Sequence, residues 1–228
     1  MFYKNINDEN RQAWLKKTLL DIPRGLRLLD AGAGEMQHQS LCSHLTYVSQ
    51  DFCQYEGVGD GKGLQTDKWD TTLIDLVCDI TDIPEPDKSF DIILCSEVLE
   101  HVPDPTKALD EFMRLLKPRG KLILTAPFAS LVHFAPYHYC TGFSRYWYEY
   151  HLEHCGFEIE ELVPNGDWFM YCQQELMRLG GKARSHGDWA WPFAYVIGVL
   201  SMVYFKFRGG TKASDLACFG WHCVAIKK

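Results

Sequence analysis

Leu28-Leu29-Asp30-Ala31-Gly32-Ala33-Gly34-Glu35 is an apolar run that ends in an acid and passes at once into alternating glycines. The segment behind it, Glu35 to Leu45, predicts a helix. A strand, a tight turn and a helix start form the layout by which α/β proteins bring a nucleotide-like ligand up to the backbone. Gly32 and Gly34 carry no Cβ, so the turn can take unusual φ/ψ angles and a ligand can approach closely. A second apolar run, Tyr47 to Gln50, closes on Asp51. That acid falls about 20 residues after Asp30, the spacing at which a carboxylate meets the two hydroxyls of a ribose.

The same grammar continues down the chain. Ile74-Asp75-Leu76-Val77-Cys78-Asp79-Ile80 reads as a third strand with an acid near its end. Ser89 to Val102 reads as a fourth strand with its following loop, and Lys117 to Pro127 as a helix exit and a fifth strand. Between them Asp104-Pro105 predicts a helix start, since Asp can cap and Pro suits the first helical position. The apolar face of that helix is Ala108, Leu109, Phe112, Met113, Leu115 and Leu116, close to a 3.6 period, and Pro118 and Gly120 stop it. A leading helix is expected over residues 7 to 21, with Trp14, Leu15, Thr18 and Leu19 on one side. Residues 52 to 73 read as a long loop. Ser144 is expected to cap a helix that ends at Gly156. Phe157 to Val163 alternates like a half-exposed strand, and Ala217 to Ile226 reads as the last strand.

These words in this order resemble the class I S-adenosylmethionine (SAM) dependent methyltransferases of the small-molecule type, over about residues 25 to 130. The family often carries a further glycine where this chain has Met36. The resemblance implies one doubly wound α/β domain over residues 1–228. Its sheet would be mostly parallel and seven-stranded, with a helical insertion over 167–213 before the last strand. Phe157–Val163 and the final strand would form a hairpin around that insertion, and the leading helix would lie over the cofactor. SAM is the implied cofactor. Its methionine end would meet Asp30, Ser96 and Glu97. Asp51 would meet the ribose and Asp79 with Ile80 the adenine, with Ala31, Gly32, Gly34 and Phe52 also binding the cofactor.

The chemistry implied is in-line methyl transfer to a small molecule, on a hydroxyl of a sugar or another metabolite. Two rivals stand beside it. One is a SAM-binding protein without turnover. The other is an NAD-dependent oxidoreductase, and Gln37 speaks against it: the dinucleotide fingerprint wants a small residue three positions after the second glycine.

A hydroxyl acceptor needs its proton removed. His101, in Glu97-Val98-Leu99-Glu100-His101-Val102, is placed to serve as that base, or to fix the loop before the Asp104 helix. His133 and His138 lie in a second run, His133 to Trp147, dense in aromatics with polar tips. Such side chains suit an acceptor pocket, or a lid that only packs. No metal is expected: neither His151, His154 and Cys155 nor His133 and His138 have the spacing of a closed zinc site.

Composition narrows the partners. The formal net charge is −7, and Lys and Arg never run beyond pairs, which disfavours a nucleic-acid substrate. None of the nine cysteines forms a C-x-x-C pair. They read as reduced thiols of a cytoplasmic protein, and no signal peptide is expected. Trp189 to Phe205 carries no charged residue. It is shorter than a membrane span. Its apolar residues run around the whole turn, as in a helix buried on most sides against the domain or a second subunit of a homodimer. The other reading is a surface that meets a membrane or a lipid-linked acceptor, for which only Lys206, Arg208 and Lys212 supply basic charge.

Overall fold

The computed structural model describes residues 5–208 and 213–228. The side chains of Lys206 and Arg208, and all of Lys212, lie outside the described residues. The chain divides into two compact units, one of Arg11–Val163 with Gly220–Lys228, the other of Met1–Asn10 with Pro164–Phe219.

The first unit is built on a sheet. Helix α1 (Ile6–Leu20) leads into β1 (Arg27–Ala31), β2 (Thr46–Asp51), β3 (Leu76–Val77), β4 (Phe90–Ser96), α2 (Pro105–Leu115), β5 (Leu116–Pro127), α3 (Arg145–His154) and β6 (Phe157–Asn165), and the chain closes on β7 (Gly220–Lys227). The seven strands are ordered β3-β2-β1-β4-β5-β7-β6. β1 pairs parallel with both β2 and β4, β4 pairs parallel with β5, and β7 runs antiparallel to β5. The strand order therefore reverses at β1, and ligands of open α/β sheets bind in the crevice that opens at the strand ends there.

One face of the sheet is covered by α1, whose Leu15 and Leu19 pack with Leu28, Ile92, Leu94 and Ile123. Leu15 and Leu19 sit four apart and so share a helix face. Helix α2 buries Ala108, Leu109, Phe112 and Leu115. Its start is as expected: Asp104 accepts a hydrogen bond from Lys107 N at 3.3 Å, with Pro105 as the first helical residue. It ends at Leu115, where Leu116 is already extended, before Pro118 is reached.

Three local expectations are corrected. Glu35–Leu45 is not an α-helix but a series of turns with one short 3-10 turn, Gln39–Cys42. Met36 takes a left-handed φ of 54°, which breaks any helix begun at Glu35, and His38 makes no side-chain cap bond. The third strand pairs only at Leu76–Val77. Just before it, the Asp75 carboxylate takes the Ser49 backbone N–H (2.9 Å) and hydroxyl (2.8 Å), which occupies a donor that a longer ladder would use. Ser144 precedes α3 but makes no side-chain cap bond.

The second unit is a helical hairpin, α4 (Trp168–Ser185) and α5 (Trp191–Arg208). Asp167 caps α4 by accepting from Met170 N at 2.9 Å. The helices meet at small residues: a Cβ on Gly180 would lie 2.7 Å from the Tyr195 ring, and one on Gly198 would lie 2.9 Å from Leu176 O. Glycine at those two positions lets the backbones approach. The insertion expected over 167–213 falls within this unit. Within the chain itself, α5 is not buried on most sides. On α5, Phe193 is 67 % exposed and Leu200 63 %, with Val196, Val199 and Val203 also more than half exposed. Among the described residues no helix is long and apolar enough to cross a membrane.

Candidate active site

The glycine turn is held from behind. Gly32 N donates to Gln50 O at 2.9 Å and to Gln50 Oε1 at 3.2 Å, and Gly34 N donates to Asp51 Oδ2 at 3.0 Å. Gly32 has φ +78°, and a Cβ there would lie 2.5 Å from Val98. The residue that follows β4 thus occupies the space a side chain would need. Met36, where the family often has glycine, keeps the left-handed conformation without being one.

Around this turn lies a cavity of about 400 Å³ lined by Gly32, Asp51, Phe52, Asp79, Ile80, Glu97 and His101. That volume is within the range of small-molecule sites. A second cleft of about 470 Å³ is lined by Leu26, Lys117, Arg119 and Glu160 among others. It sits by the N-terminal ends of β1 and β4, the wrong edge of the sheet for the ligand of such a fold.

Asp51 Oδ1 accepts from Cys53 N at 2.8 Å and Oδ2 from Gly34 N. Each oxygen keeps a further lone pair for a ligand hydroxyl. Asp79 Oδ1 takes the Thr81 N–H and hydroxyl, both at 2.8 Å, which orients the carboxylate beside Ile80. Gln50 Nε2 donates to Cys78 O at 2.7 Å, so one amide braces both the glycine turn and the loop after β3.

Glu97 has a left-handed φ of 56°, a strained conformation of the kind that collects at functional sites. Thr125 Oγ1 donates to Glu97 Oε1 at 3.0 Å, and Arg11 Nη1 lies 2.8 Å from Oε2. The single Thr125 proton is used there, so Ser96 Oγ donates to Thr125 Oγ1 at 2.9 Å. Ser96 therefore positions Glu97 through Thr125 and is not in the cavity wall.

Asp30, Ala31 and Gly34 are also absent from that wall. Asp30 is buried behind the turn, where Tyr47 donates to it at 2.6 Å. Burial pushes its carboxyl up to about 7; the Tyr47 bond opposes this and the Asp51 charge adds to it. Of Asp30 and Glu97, Glu97 is the one that lines the cavity.

His101 lines the cavity, and His133 and His138 stand behind it, with ring centroids 4.6 Å and 5.8 Å from its own. Burial holds His101 down at about 4, against the bond to Tyr137 O and with the other two rings adding to the fall. Its Nδ1 lies 2.5 Å from Tyr137 O. A carbonyl only accepts, so Nδ1 carries the proton and Nε2 the lone pair.

The loop over residues 52–73 contributes more than its composition suggested. Tyr55 and Trp69 line the cavity and pack with Phe134 at centroid distances of 4.9 and 5.0 Å. Leu64 N donates to Val132 O and Phe134 N to Leu64 O. Gly59 and Gly63 make this approach feasible, since a Cβ on Gly63 would lie 2.6 Å from Val132 O. Gln50, Tyr55, Trp69, Arg11 and Thr125 were not singled out in the sequence. Gln50, at the end of a strand and beside Asp51, is the one whose position carried a signal.

Comparison with known proteins fits this site. Residues 29–124 match the family model described as a methyltransferase domain. A demethylmenaquinone methyltransferase of Clavibacter sepedonicus is 34 % identical over 119 residues, 50 % of this chain and 47 % of the relative. A ubiquinone biosynthesis O-methyltransferase of Xylella fastidiosa is 33 % identical over 108 residues, 44 % of this chain and 42 % of the relative. The chain thus spans about half or less of the length of these relatives. Among solved structures, the [4+2]-cyclase SpnF has a TM-score of 0.58 at 18 % identity, covering 96 % of this chain and 80 % of that one. An S-adenosylmethionine dependent methyltransferase of Mesorhizobium loti has a TM-score of 0.54 at 14 % identity, covering 98 % and 100 %. Both likenesses are of fold. Over residues 29–124 the chain is thus similar in sequence to methyltransferase domains, and its sheet order is that of the methyltransferase fold.

Proposed function

We propose that this chain transfers the methyl group of SAM to a hydroxyl of a small-molecule acceptor. The observation that carries the reading is the single cavity that holds Asp51, Asp79 and Ile80 together with Glu97 and His101. SAM supplies a methyl group already activated on a positive sulfur. Asp51 would hold the ribose hydroxyls, and Asp79 with Ile80 the adenine. Glu97, held by Thr125 and Arg11, receives the ammonium end. His101, whose ring lines the cavity, would be the base that takes the acceptor proton, and SAM would supply the methyl group. Holding the acceptor close and in line is the main catalytic task.

For the acceptor we favour a lipid-linked or lipid-soluble molecule met at a membrane surface, over a free sugar. The open apolar face of α5 supports this, since exposed patches of that kind mark interaction sites. So do the quinone names of the relatives, quinones being lipid-soluble. A homodimer through α5 is the competing use of the face. The nine unbridged cysteines favour a reducing, cytoplasmic setting. Liposome sedimentation with light scattering tests the acceptor reading. Co-sedimentation that is lost in Phe193→Ser/Leu200→Ser is expected. A dimer that stays in the supernatant overturns it. Turnover of SAM to S-adenosylhomocysteine with a panel of phenolic and quinol acceptors tests the reaction itself.

A further inference from the structure

His101, His133 and His138 come from two separate loops, and their ligand-capable atoms all lie within 4.8 Å of one another. Tautomers make this placement unusual. His101 Nδ1 is committed to Tyr137 O, and His133 Nδ1 to Leu131 O at 2.9 Å. His101 therefore carries a lone pair on Nε2. The Nε2 atoms of His101 and His133 both lie 3.8 Å from the same carboxylate oxygen, Glu100 Oε1. Glu100 is 1 % exposed, and its Oε2 has no hydrogen-bond partner. The Nε2 of His101 and both ring nitrogens of His138 are likewise buried without one.

Ligand-capable nitrogens of three imidazoles gathered within 4.8 Å of one another are relieved by positive charge between them. Buried polar atoms without partners are costly and ask for an explanation. A transition-metal ion would bind one nitrogen of each of the three rings at once. Imidazole nitrogens with a carboxylate are its usual ligands, and a carbonyl that takes the far N–H of each ligating ring is its usual second layer.

We propose that His101, His133 and His138, with Glu100, form a binding site for a divalent transition-metal ion of the zinc type at the edge of the methyltransferase cavity. Nitrogen ligands about 2.1 Å from such an ion stand about 3.4 Å apart, so binding draws the three rings together by about 1 Å. The frame suits this small contraction. Glu100 O accepts from Tyr139 N and Cys140 N, and His133 is bridged to Leu64. Both loops are therefore tied together before any ion arrives. An ion here would lie beside the one ring of the cluster that faces the cavity. There it could take over from His101 the lowering of an acceptor hydroxyl's pKa. Occupancy does not depend on the methyl-transfer reading, and it is read without SAM or acceptor.

The test uses the full chain, stripped with chelator and titrated with cobalt(II) as the spectroscopic probe. One equivalent per chain is expected, with visible d–d bands, no thiolate-to-cobalt charge transfer, and displacement by zinc. His133→Gln and His138→Gln should each weaken uptake by more than the roughly tenfold to hundredfold that loss of an outer-layer partner costs. Calorimetry with SAM on each variant checks that the domain is folded. No saturable uptake by the wild type, equal uptake by folded variants, or a thiolate charge-transfer band would each overturn the site.

Discussion

Gly34 donates its backbone N–H to Asp51 at 3.0 Å. The glycine turn after β1 and the acid after β2 are thus one unit, and a ligand that uses Asp51 also reports on the turn.

Asp51→Ala removes the ribose contacts and leaves Gly34 N without its acceptor. Hydrogen bonds to a charged group are worth about 1.5–3 kcal/mol, so affinity for S-adenosylhomocysteine should fall at least tenfold. Isothermal calorimetry measures it. Wild-type affinity would remove Asp51 from the site.

Gly32→Ala should destabilise the domain and abolish SAM binding. The φ of +78° and the 2.5 Å approach to Val98 act separately. Gly32→Ala/Val98→Ala relieves the clash but not the left-handed strain, so it should recover only part of the loss in thermal unfolding. Full recovery would show that crowding alone matters.

His101→Ala should lower turnover by roughly a hundredfold or more while SAM still binds. A base acts deprotonated, and burial holds His101 at about 4. The acid limb that it contributes to the pH–rate profile of the metal-free enzyme should therefore lie near pH 4, not in the ordinary histidine range. A limb near 6.5 that vanishes in the variant would contradict the buried geometry.

Asp30→Asn gives a stability test with a defined sign. The folded carboxyl titrates at about 7, above its ordinary 3.8. Its ionisation therefore costs stability as pH rises from about 4 through 7, and nothing below about 4. His101 and His222, both held near 4, act oppositely: their stability is present above the ordinary 6.5 and is lost as pH falls toward 4. Asp30→Asn, which can still accept from Tyr47, should be more stable than wild type at pH 8, and the difference should disappear at pH 4. Denaturant melts at the two values decide it. An equal difference at both would mean that Asp30 is not protonated by burial.

The strands were legible along the chain because each is a short apolar run closed by an acid or a turn, and period and punctuation are local properties. Asp51, Asp79, Ile80 and Glu97 were legible for the same reason, as each stands at the end of a strand whose place in the sheet follows from its order. Glu35–Leu45 misled because one left-handed residue, Met36, outweighs the helix propensity of its neighbours.

Sequence by itself determined the strands, the glycine turn and the acids that follow the strands, since these depend on neighbours within a few residues. Only the tertiary structure decided that Asp30 lies behind the turn, that Gln50 and Thr125 brace the site, and that the loop before β3 walls it. It alone brought His133 and His138 against His101 and Glu100, and left α5 open. Each of these depends on which distant backbones approach and which side chains lose water when they do. Such long-range contacts are set by the fold as a whole, and no window of the sequence contains them.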